Sequence, residues 1–214
     1  MIARPLACVV RVFVLAACVV ALLPGAAAAQ QVGGGVKAGV ALGDIPNAAQ
    51  ALEGEAGIDT QQRIGFAAGA FAMVRFQNGF AIQPEVLYTQ KGVKITEGGS
   101  TAMTIKTDFV DVPLLARYTF GKGVRGYVFA GPSFDFKVSA KAKMGGVLGS
   151  DEQDLSEDVK TFEFAVVFGG GVELGPILLE GRWSEGLTNL DTQAMSDSPS
   201  VKTRTILFLA GLRF

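Results

Sequence analysis

At 214 residues, the chain is long enough for one domain of moderate size. Its 19 Lys and Arg nearly balance 20 Asp and Glu, so it lacks the basic surplus that nucleic-acid binding requires. The formal net charge is −1. The sequence contains no histidine, which excludes a Ser-His catalytic pair and any His-ligated metal.

The N-terminal residues have the composition of a secretory signal. Arg4 and Arg11 supply positive charge, residues 12–23 form an apolar core, and four alanines then offer a small-residue cleavage site. We therefore expect a cleavable signal peptide over 1–29 and a mature domain over 30–214 that is exported from the cytoplasm.

Both cysteines, Cys8 and Cys18, lie inside this predicted signal peptide. The mature domain would then contain neither a disulfide nor a cysteine-based metal site. Cys18 also ends a lipobox-like run over 15–18, which leaves a lipoprotein signal as the alternative. Cleavage would remove two of the 19 Lys and Arg and leave 17 against the 20 Asp and Glu.

Beyond residue 30, apolar residues alternate with polar or small ones. No continuous apolar run is long enough for a membrane-spanning helix, although the mean hydropathy of the chain is +0.36. An alternation with a period of two is typical of β-strands. It predicts eight strands, over 32–42, 62–76, 80–90, 101–120, 125–142, 159–174, 177–188 and 201–214.

The second and third predicted strands carry the clearest local signals. The even-numbered residues over 64–76 are all apolar. Asn78-Gly79 is a strong hairpin signal, so a tight turn should follow the second strand. Pro84 cannot donate a hydrogen bond to a neighbouring strand, so it should mark a bulge or a gap in the pairing.

The connections between predicted strands alternate in length. The tight ones lie at 77–79, 121–123 and 175–176, whereas the long ones lie near 44–61, 92–100, 143–158 and 189–200. Tight turns on one rim and long loops on the other are typical of outer-membrane barrels. Together with the even strand number, the pattern predicts an all-β fold, an eight-stranded antiparallel up-and-down transmembrane β-barrel whose N-terminus enters on the tight-turn side.

The last predicted strand ends the sequence on an aromatic residue, Phe214. From Ile206 onward its even-numbered residues, which include Phe208 and Leu212, are apolar and would face outward. Such a strand has the character of the closing strand of an outer-membrane barrel. We expect outer-membrane lipid as its surroundings, and the barrel-assembly machinery as a partner that acts through this strand.

Four segments resemble a known family. They are GFAAGAFAMVRFQNGFAIQPEVLYTQKGVKI, DFVDVPLLARYTFG, YVFAGPSFDFKVSAKA and the closing FLAGLRF. They look like the Gram-negative outer-membrane β-barrel domain family, which includes PorT-like proteins and is similar in build to small OmpA/OmpX-type barrels. The resemblance implies an eight-stranded barrel in the outer membrane. It supplies no catalytic motif and no cofactor.

Ionisable residues fall on the strand faces that would point into the lumen. A barrel of eight strands is filled by side chains, so a balanced set of charges should pair across strands rather than line an open channel. We expect Glu85 and Arg117, on neighbouring strands, to form one such pair. The full predicted set is Lys37, Arg75, Glu85, Asp111, Arg117, Asp135, Lys137, Glu163, Glu173, Glu180, Arg182 and Arg213.

Aromatic residues fall on the opposite, outward faces and include several strand ends. Barrels of this class carry girdles of aromatic residues at the two membrane interfaces. The predicted membrane-interface residues are Phe66, Phe76, Phe80, Tyr88, Tyr118, Phe120, Phe134, Trp183 and Phe214.

The sequence favours a structural or surface-interaction role carried by the extracellular loops, with no catalysis, no cofactor and no metal. The acidic stretch over 151–158 lacks the spacing of an EF-hand and is interpreted as a solvated loop. The main alternative is a transport or secretion accessory of the PorT-like kind. A soluble periplasmic barrel that binds a small apolar ligand is a further alternative, but it would need polar outward faces.

Overall fold

The structure is a computed structural model and describes residues 31–44, 58–97, 100–146, 149–154, 162–188 and 203–214. The predicted signal peptide over 1–29 and the predicted loop over 189–200 lie outside these ranges. Within them, no helix is long and apolar enough to cross a membrane. The strands are β1 (Gln31–Asp44), β2 (Ile58–Arg75), β3 (Phe80–Glu97), β4 (Ser100–Phe120), β5 (Val124–Gly146), β6 (Gly149–Asp154), β7 (Phe162–Leu174), β8 (Ile177–Gly186) and β9 (Arg204–Arg213).

Eight of these strands close into a ring. Each pairs antiparallel with its neighbours in the order β1-β2-β3-β4-β5-β7-β8-β9, and β9 returns to pair with β1. Ala38 lies at the middle of this closing seam, where it faces Ala68 of β2 on one side and Ala210 of β9 on the other. The predicted eight-stranded antiparallel barrel is therefore confirmed. The short strand β6 pairs with β5 and adds to one wall of the ring.

The three predicted tight turns are present. They join β2 to β3, β4 to β5 and β7 to β8, all on the rim where β1 begins. Gly79 adopts a φ of 84° and Gly175 a φ of 62°, which side chains larger than glycine rarely tolerate. This rim is called the turn side below, and the opposite rim is called the loop side.

The predicted loops over 92–100 and 143–158 are wrong over much of their length. β3 continues to Glu97, and β5 continues to Gly146 before β6 pairs back against it. Residues 93–96 alternate Val and Ile with Lys and Thr, which is a strand pattern hidden in a polar segment. The predicted strands ended too early because these segments are polar in overall composition, although the alternation of residues continues through them.

Pro84 interrupts the pairing as predicted. Between β2 and β3, Phe71 pairs with Glu85 and Val74 with Ile82, in one register with a gap in between. Proline lacks the backbone N–H that the ladder would need at this point. The outcome is a gap rather than a bulge.

The outward face is apolar, and the inward face carries the polar side chains. Ile64, Phe208 and Leu212 are exposed by 70%, 54% and 55%. A continuous apolar surface of this kind marks contact with a membrane. A soluble ligand-binding barrel would reverse the two faces, so this alternative from the sequence is wrong.

Gly39 lets the first and last strands approach each other closely, and we expect Gly39→Ala to destabilise the closed barrel by about 1–3 kcal/mol. A methyl group on Gly39 would overlap the carbonyl oxygen of Phe208 and lie 2.8 Å from the Cα of Leu209. Both are backbone atoms of β9 and cannot turn aside. Guanidinium unfolding in detergent micelles, followed by far-UV circular dichroism, measures the loss.

Gly33→Ala is the matched control on the same strand. Its added methyl group would meet only the Phe214 carbonyl oxygen at 3.8 Å, an ordinary contact distance. We expect its unfolding free energy to stay within about 0.5 kcal/mol of the parent. Equal effects of the two substitutions would contradict this account of the seam.

Candidate functional site

The lumen holds three groups of charged side chains stacked along the barrel axis. The inward positions of neighbouring strands lie side by side because the strands pair in register over most of their length. This brings together residues from as many as five strands. From the turn side to the loop side, the groups are here called the turn-side, central and loop-side clusters.

The central cluster consists of Lys37, Glu85, Glu180 and Arg182, all buried. Lys37 Nζ lies 2.8 Å from Glu85 Oε1 and 2.7 Å from Glu180 Oε2. Arg182 Nη1 lies 2.9 Å from Glu85 Oε2, and Arg182 Nε donates to Glu180 Oε1 at 2.9 Å. Two cations thus balance two carboxylates, which is the condition under which buried charges persist.

The turn-side cluster consists of Glu173 surrounded by Arg75, Arg117, Arg125 and Arg213. Arg75 Nη2 and Arg125 Nη2 each lie 2.6 Å from a different oxygen of Glu173. Arg117 Nη2 also donates to the carboxylate, and Arg213 Nη1 lies 3.6 Å from it. Four guanidinium groups share one carboxylate, so this cluster carries a surplus of positive charge.

The loop-side cluster has the opposite surplus. Asp111 pairs with Asp135 across β4 and β5, and Asp135 pairs with Glu163 across β5 and β7, so three carboxylates stand side by side. Lys91 Nζ lies 2.9 Å from Asp135 Oδ2 and 3.7 Å from Asp111 Oδ1. Among the described side chains, no group of three carboxylates is arranged to hold a metal ion. The ammonium group of Lys91 lies between the carboxylates of Asp111 and Asp135.

Neutral side chains link the turn-side and central clusters. Arg117 Nη1 donates to Gln83 Oε1 at 3.0 Å, and Gln83 Nε2 donates to Glu85 Oε1 at 2.5 Å. The guanidinium carbon of Arg117 lies 3.5 Å from the ring centroid of Tyr127. The Tyr127 hydroxyl donates a hydrogen bond to Glu180 Oε2 at 3.1 Å. The two clusters therefore form one connected polar network.

The predicted direct pair between Glu85 and Arg117 is wrong. In the β3–β4 register, Arg117 faces Ala81 rather than Glu85. The two side chains are therefore offset along the axis, and Gln83 bridges them. Glu85 instead contacts Lys37 and Arg182 across the lumen, which no pattern along the sequence could reveal.

All twelve predicted lumen residues occupy inward positions. Nine of the twelve are buried, and three are half-buried: Arg75, Lys137 and Arg213. Two further cations, Lys91 and Arg125, join the clusters but were not predicted. Lys91 lies just beyond the predicted third strand over 80–90, although it continues the inward set of Gln83, Glu85 and Thr89.

The predicted aromatic residues point outward, and most form two groups. Near the turn side, the ring centroids of Phe80 and Tyr118 lie 4.9 Å apart, with Phe120 beside them. Toward the loop side, Phe66 contacts Tyr88 with centroids 5.6 Å apart. Phe76 and Phe214 are exposed, and Trp183 is half-buried.

The loop-side group also contains Phe136, Phe162 and Phe164, which were not among the predicted interface residues, beside Phe134, which was. Phe134 packs against Phe162 and Phe164, and Phe136 packs against Phe162 with centroids 5.5 Å apart. All of these residues lie on β5 and β7 near the start of the loop-side rim. Trp183 stacks on Phe168 with centroids 6.4 Å apart, nearer the middle of the barrel.

Comparisons with solved structures find small barrels with low sequence identity. Ail, the attachment invasion locus protein of Yersinia pestis, and Neisserial surface protein A are each 14% identical to the chain, with a TM-score of 0.45. Each alignment covers 86% of this chain and 99% of the other. OprG from Pseudomonas aeruginosa is 11% identical, with a TM-score of 0.39, and its alignment covers 86% of this chain and 95% of the other.

The two comparisons at the level of sequence give different results. No curated protein matches the chain. A family model described as the outer membrane protein beta-barrel domain matches residues 28–192, which is well over half of the chain. The chain therefore belongs to the outer membrane protein beta-barrel domain family and is a barrel of the Gram-negative outer membrane.

Proposed function

We propose that this protein is a non-catalytic outer-membrane barrel that presents a raised β-sheet outside the membrane as a contact surface. The raised sheet consists of residues 58–62, 92–97, 100–108, 139–146 and 149–154 of β2 to β6. The observation that carries the proposal is the unequal height of the barrel wall.

Among the residues that the structure describes, the wall is tall on one side only. β4 and β5 contain 21 and 23 residues, whereas β8 and β9 contain 10 each. A strand of about 9–11 residues suffices to cross a membrane at a steep tilt. The additional residues all lie on the loop side, where Gly92 pairs with Lys106 and Lys143 with Glu152. A sheet built beyond the membrane offers a fixed surface for contact.

The outward aromatic groups support this placement of the membrane. They lie about 8–10 residues apart along the strands, or roughly 27–34 Å at 3.4 Å per residue. With strands tilted by ~40°, this corresponds to about 20–26 Å along the axis, close to the ~25 Å apolar band of such barrels. The raised sheet then begins at the outer aromatic group.

The filled lumen argues against conduction and against catalysis. Lys37, Glu85, Glu180 and Arg182 contact one another across the barrel, and Tyr127 and Phe129 pack beside them as buried side chains. An eight-stranded barrel has little space beyond such side chains. Passage through the lumen, as in a PorT-like transport role, would require this network to open.

Shortening the raised sheet tests the proposed contact role. A variant in which Asn-Gly replaces residues 92–106 would join Lys91 to Thr107, which already pair with each other, through a two-residue turn. We expect the variant to reach the outer membrane and to keep the mobility shift on boiling in SDS that folded barrels show. We also expect Gram-negative cells that carry it to adhere less to one another than cells with the full chain.

A variant with the same 15 residues in scrambled order controls for the length of the hairpin. Full adhesion by a correctly folded shortened variant would show that the raised sheet has no contact role.

A further inference from the structure

The turn-side mouth of the barrel carries an unusual surplus of positive charge. Arg75, Arg117, Arg125 and Arg213 surround a single carboxylate, that of Glu173. The cluster therefore holds three more positive than negative side-chain charges. Charges in a partly dry site repel strongly unless they are paired, so this arrangement favours a further anion.

Three of the four arginines reach the mouth. The side chains of Arg75, Arg125 and Arg213 are 19%, 34% and 23% exposed, whereas the side chains of Arg117 and Glu173 are fully buried. The buried pair anchors the cluster from inside. The three outer guanidinium groups form a ring that a solute can approach from the turn side.

The donors of these arginines exceed the acceptors around them. Each guanidinium has five N–H donors, whereas one carboxylate offers about four lone-pair sites. Among the contacts of described residues, Arg213 reaches only Glu173 and the Gly175 carbonyl oxygen, the latter at 3.4 Å. Arg117 Nε, although buried, has no partner in the described part of the chain. The cluster thus has unmet capacity to donate hydrogen bonds.

A cavity lies beside these donors. It has a volume of about 290 Å³, and the three outer arginines line it together with Gln31, Met73 and Phe214. This volume is at the low end for small-molecule sites, so it suits a small ion or a headgroup rather than a large ligand. The planar forks of arginine match the oxygens of phosphate groups.

We propose that this cavity is a binding site for a phosphate group, held by Arg75, Arg125 and Arg213. A phosphate with two negative charges would offset most of the surplus. The exposed side chains of Val32 and Phe214 border the cavity, so it lies near the lipid-facing surface as well as the lumen mouth. Free phosphate and the phosphate of a lipid headgroup carry the same chemistry and are both compatible with this position.

Calorimetry with the folded barrel in octyl glucoside tests the site without phospholipid present. We expect inorganic phosphate to bind saturably with one ion per barrel. Arg125→Gln should weaken binding at least threefold, and the Arg125→Gln/Arg213→Gln double variant should weaken it at least tenfold. Arg75 and Arg117 would still pair with Glu173 in both variants, and the boiling shift in SDS verifies their folding.

Lys122→Gln is the matched control, because Lys122 lies in an exposed turn on the same rim and does not line the cavity. Its phosphate affinity should equal that of the parent. Native mass spectrometry with phosphatidic acid and with a neutral diacylglycerol then shows whether the bound phosphate group belongs to a lipid headgroup. A headgroup site is indicated if phosphatidic acid forms adducts and diacylglycerol does not, and if substitution of Arg125 removes these adducts. In that case inorganic phosphate alone would not bind.

Two results would overturn the proposal. One is the absence of saturable binding for both inorganic phosphate and phosphatidic acid. The other is an equal loss of affinity in Lys122→Gln and in the Arg125→Gln/Arg213→Gln variant, which would reflect only the overall charge of the rim. Neither result bears on the raised sheet, because that surface lies on the opposite rim.

Discussion

Glu173→Gln is expected to lower the unfolding free energy of the barrel by about 3–5 kcal/mol, the range found when one partner of a buried ion pair is removed. The substitution keeps the size of the side chain but removes the carboxylate that Arg75, Arg117, Arg125 and Arg213 share. Arg117, which is buried, would then lie among like charges. Guanidinium unfolding followed by far-UV circular dichroism gives the free energy.

Glu185→Gln provides the comparison for this variant. Glu185 contacts Arg204 at 3.1 Å, but these side chains are 33% and 41% exposed. Ion pairs at such exposure contribute about 0–1 kcal/mol. Similar losses for Glu173→Gln and Glu185→Gln would mean that the turn-side cluster does not hold the strands together.

Arg182→Met is expected to cost a similar amount, about 3–5 kcal/mol, for the opposite reason. It leaves Glu85 and Glu180 with Lys37 as their remaining cation in the central cluster. The aliphatic stem of methionine fills part of the vacated volume, so the loss would reflect charge more than packing. The same unfolding experiment measures it.

A second substitution should reverse much of this loss. In Arg182→Met/Glu85→Gln, the pair of Lys37 with Glu180 at 2.7 Å remains, and the cluster is neutral again. We expect the double variant to recover more than half of the free energy lost in Arg182→Met. Losses that simply add would show that the two side chains do not interact, contrary to their 2.9 Å contact.

Much of the fold could be predicted because the alternation of residues within a strand indicates which face points outward. The even-numbered apolar residues over 64–76 give the outward face of β2, and Asn78-Gly79 gives the turn that follows. The strand ends on the loop side were harder to predict. There the overall composition is polar, so the alternation of Val and Ile with Lys and Thr over 93–96 did not stand out as a strand.

The pairing inside the lumen could not be predicted because it depends on the register and curvature of the closed barrel. Lys37 and Glu180 are far apart in sequence and meet across the closing seam through β9. The predicted set held equal numbers of acids and bases, which suggested uniform neutralisation. Among the described residues, Arg125 on the turn side and the row of three acids on the loop side instead give the turn-side and loop-side clusters opposite charge surpluses.

Conductance across a planar lipid bilayer tests the central claim, that buried ion pairs fill the lumen and leave no path for ions. The folded protein is inserted into the bilayer, and the current is recorded under an applied voltage beside a known porin. We predict that the protein gives no stable current steps, while its boiling shift in SDS confirms that it is folded. Regular ohmic steps that depend on the protein would contradict the filled lumen and would restore a transport role.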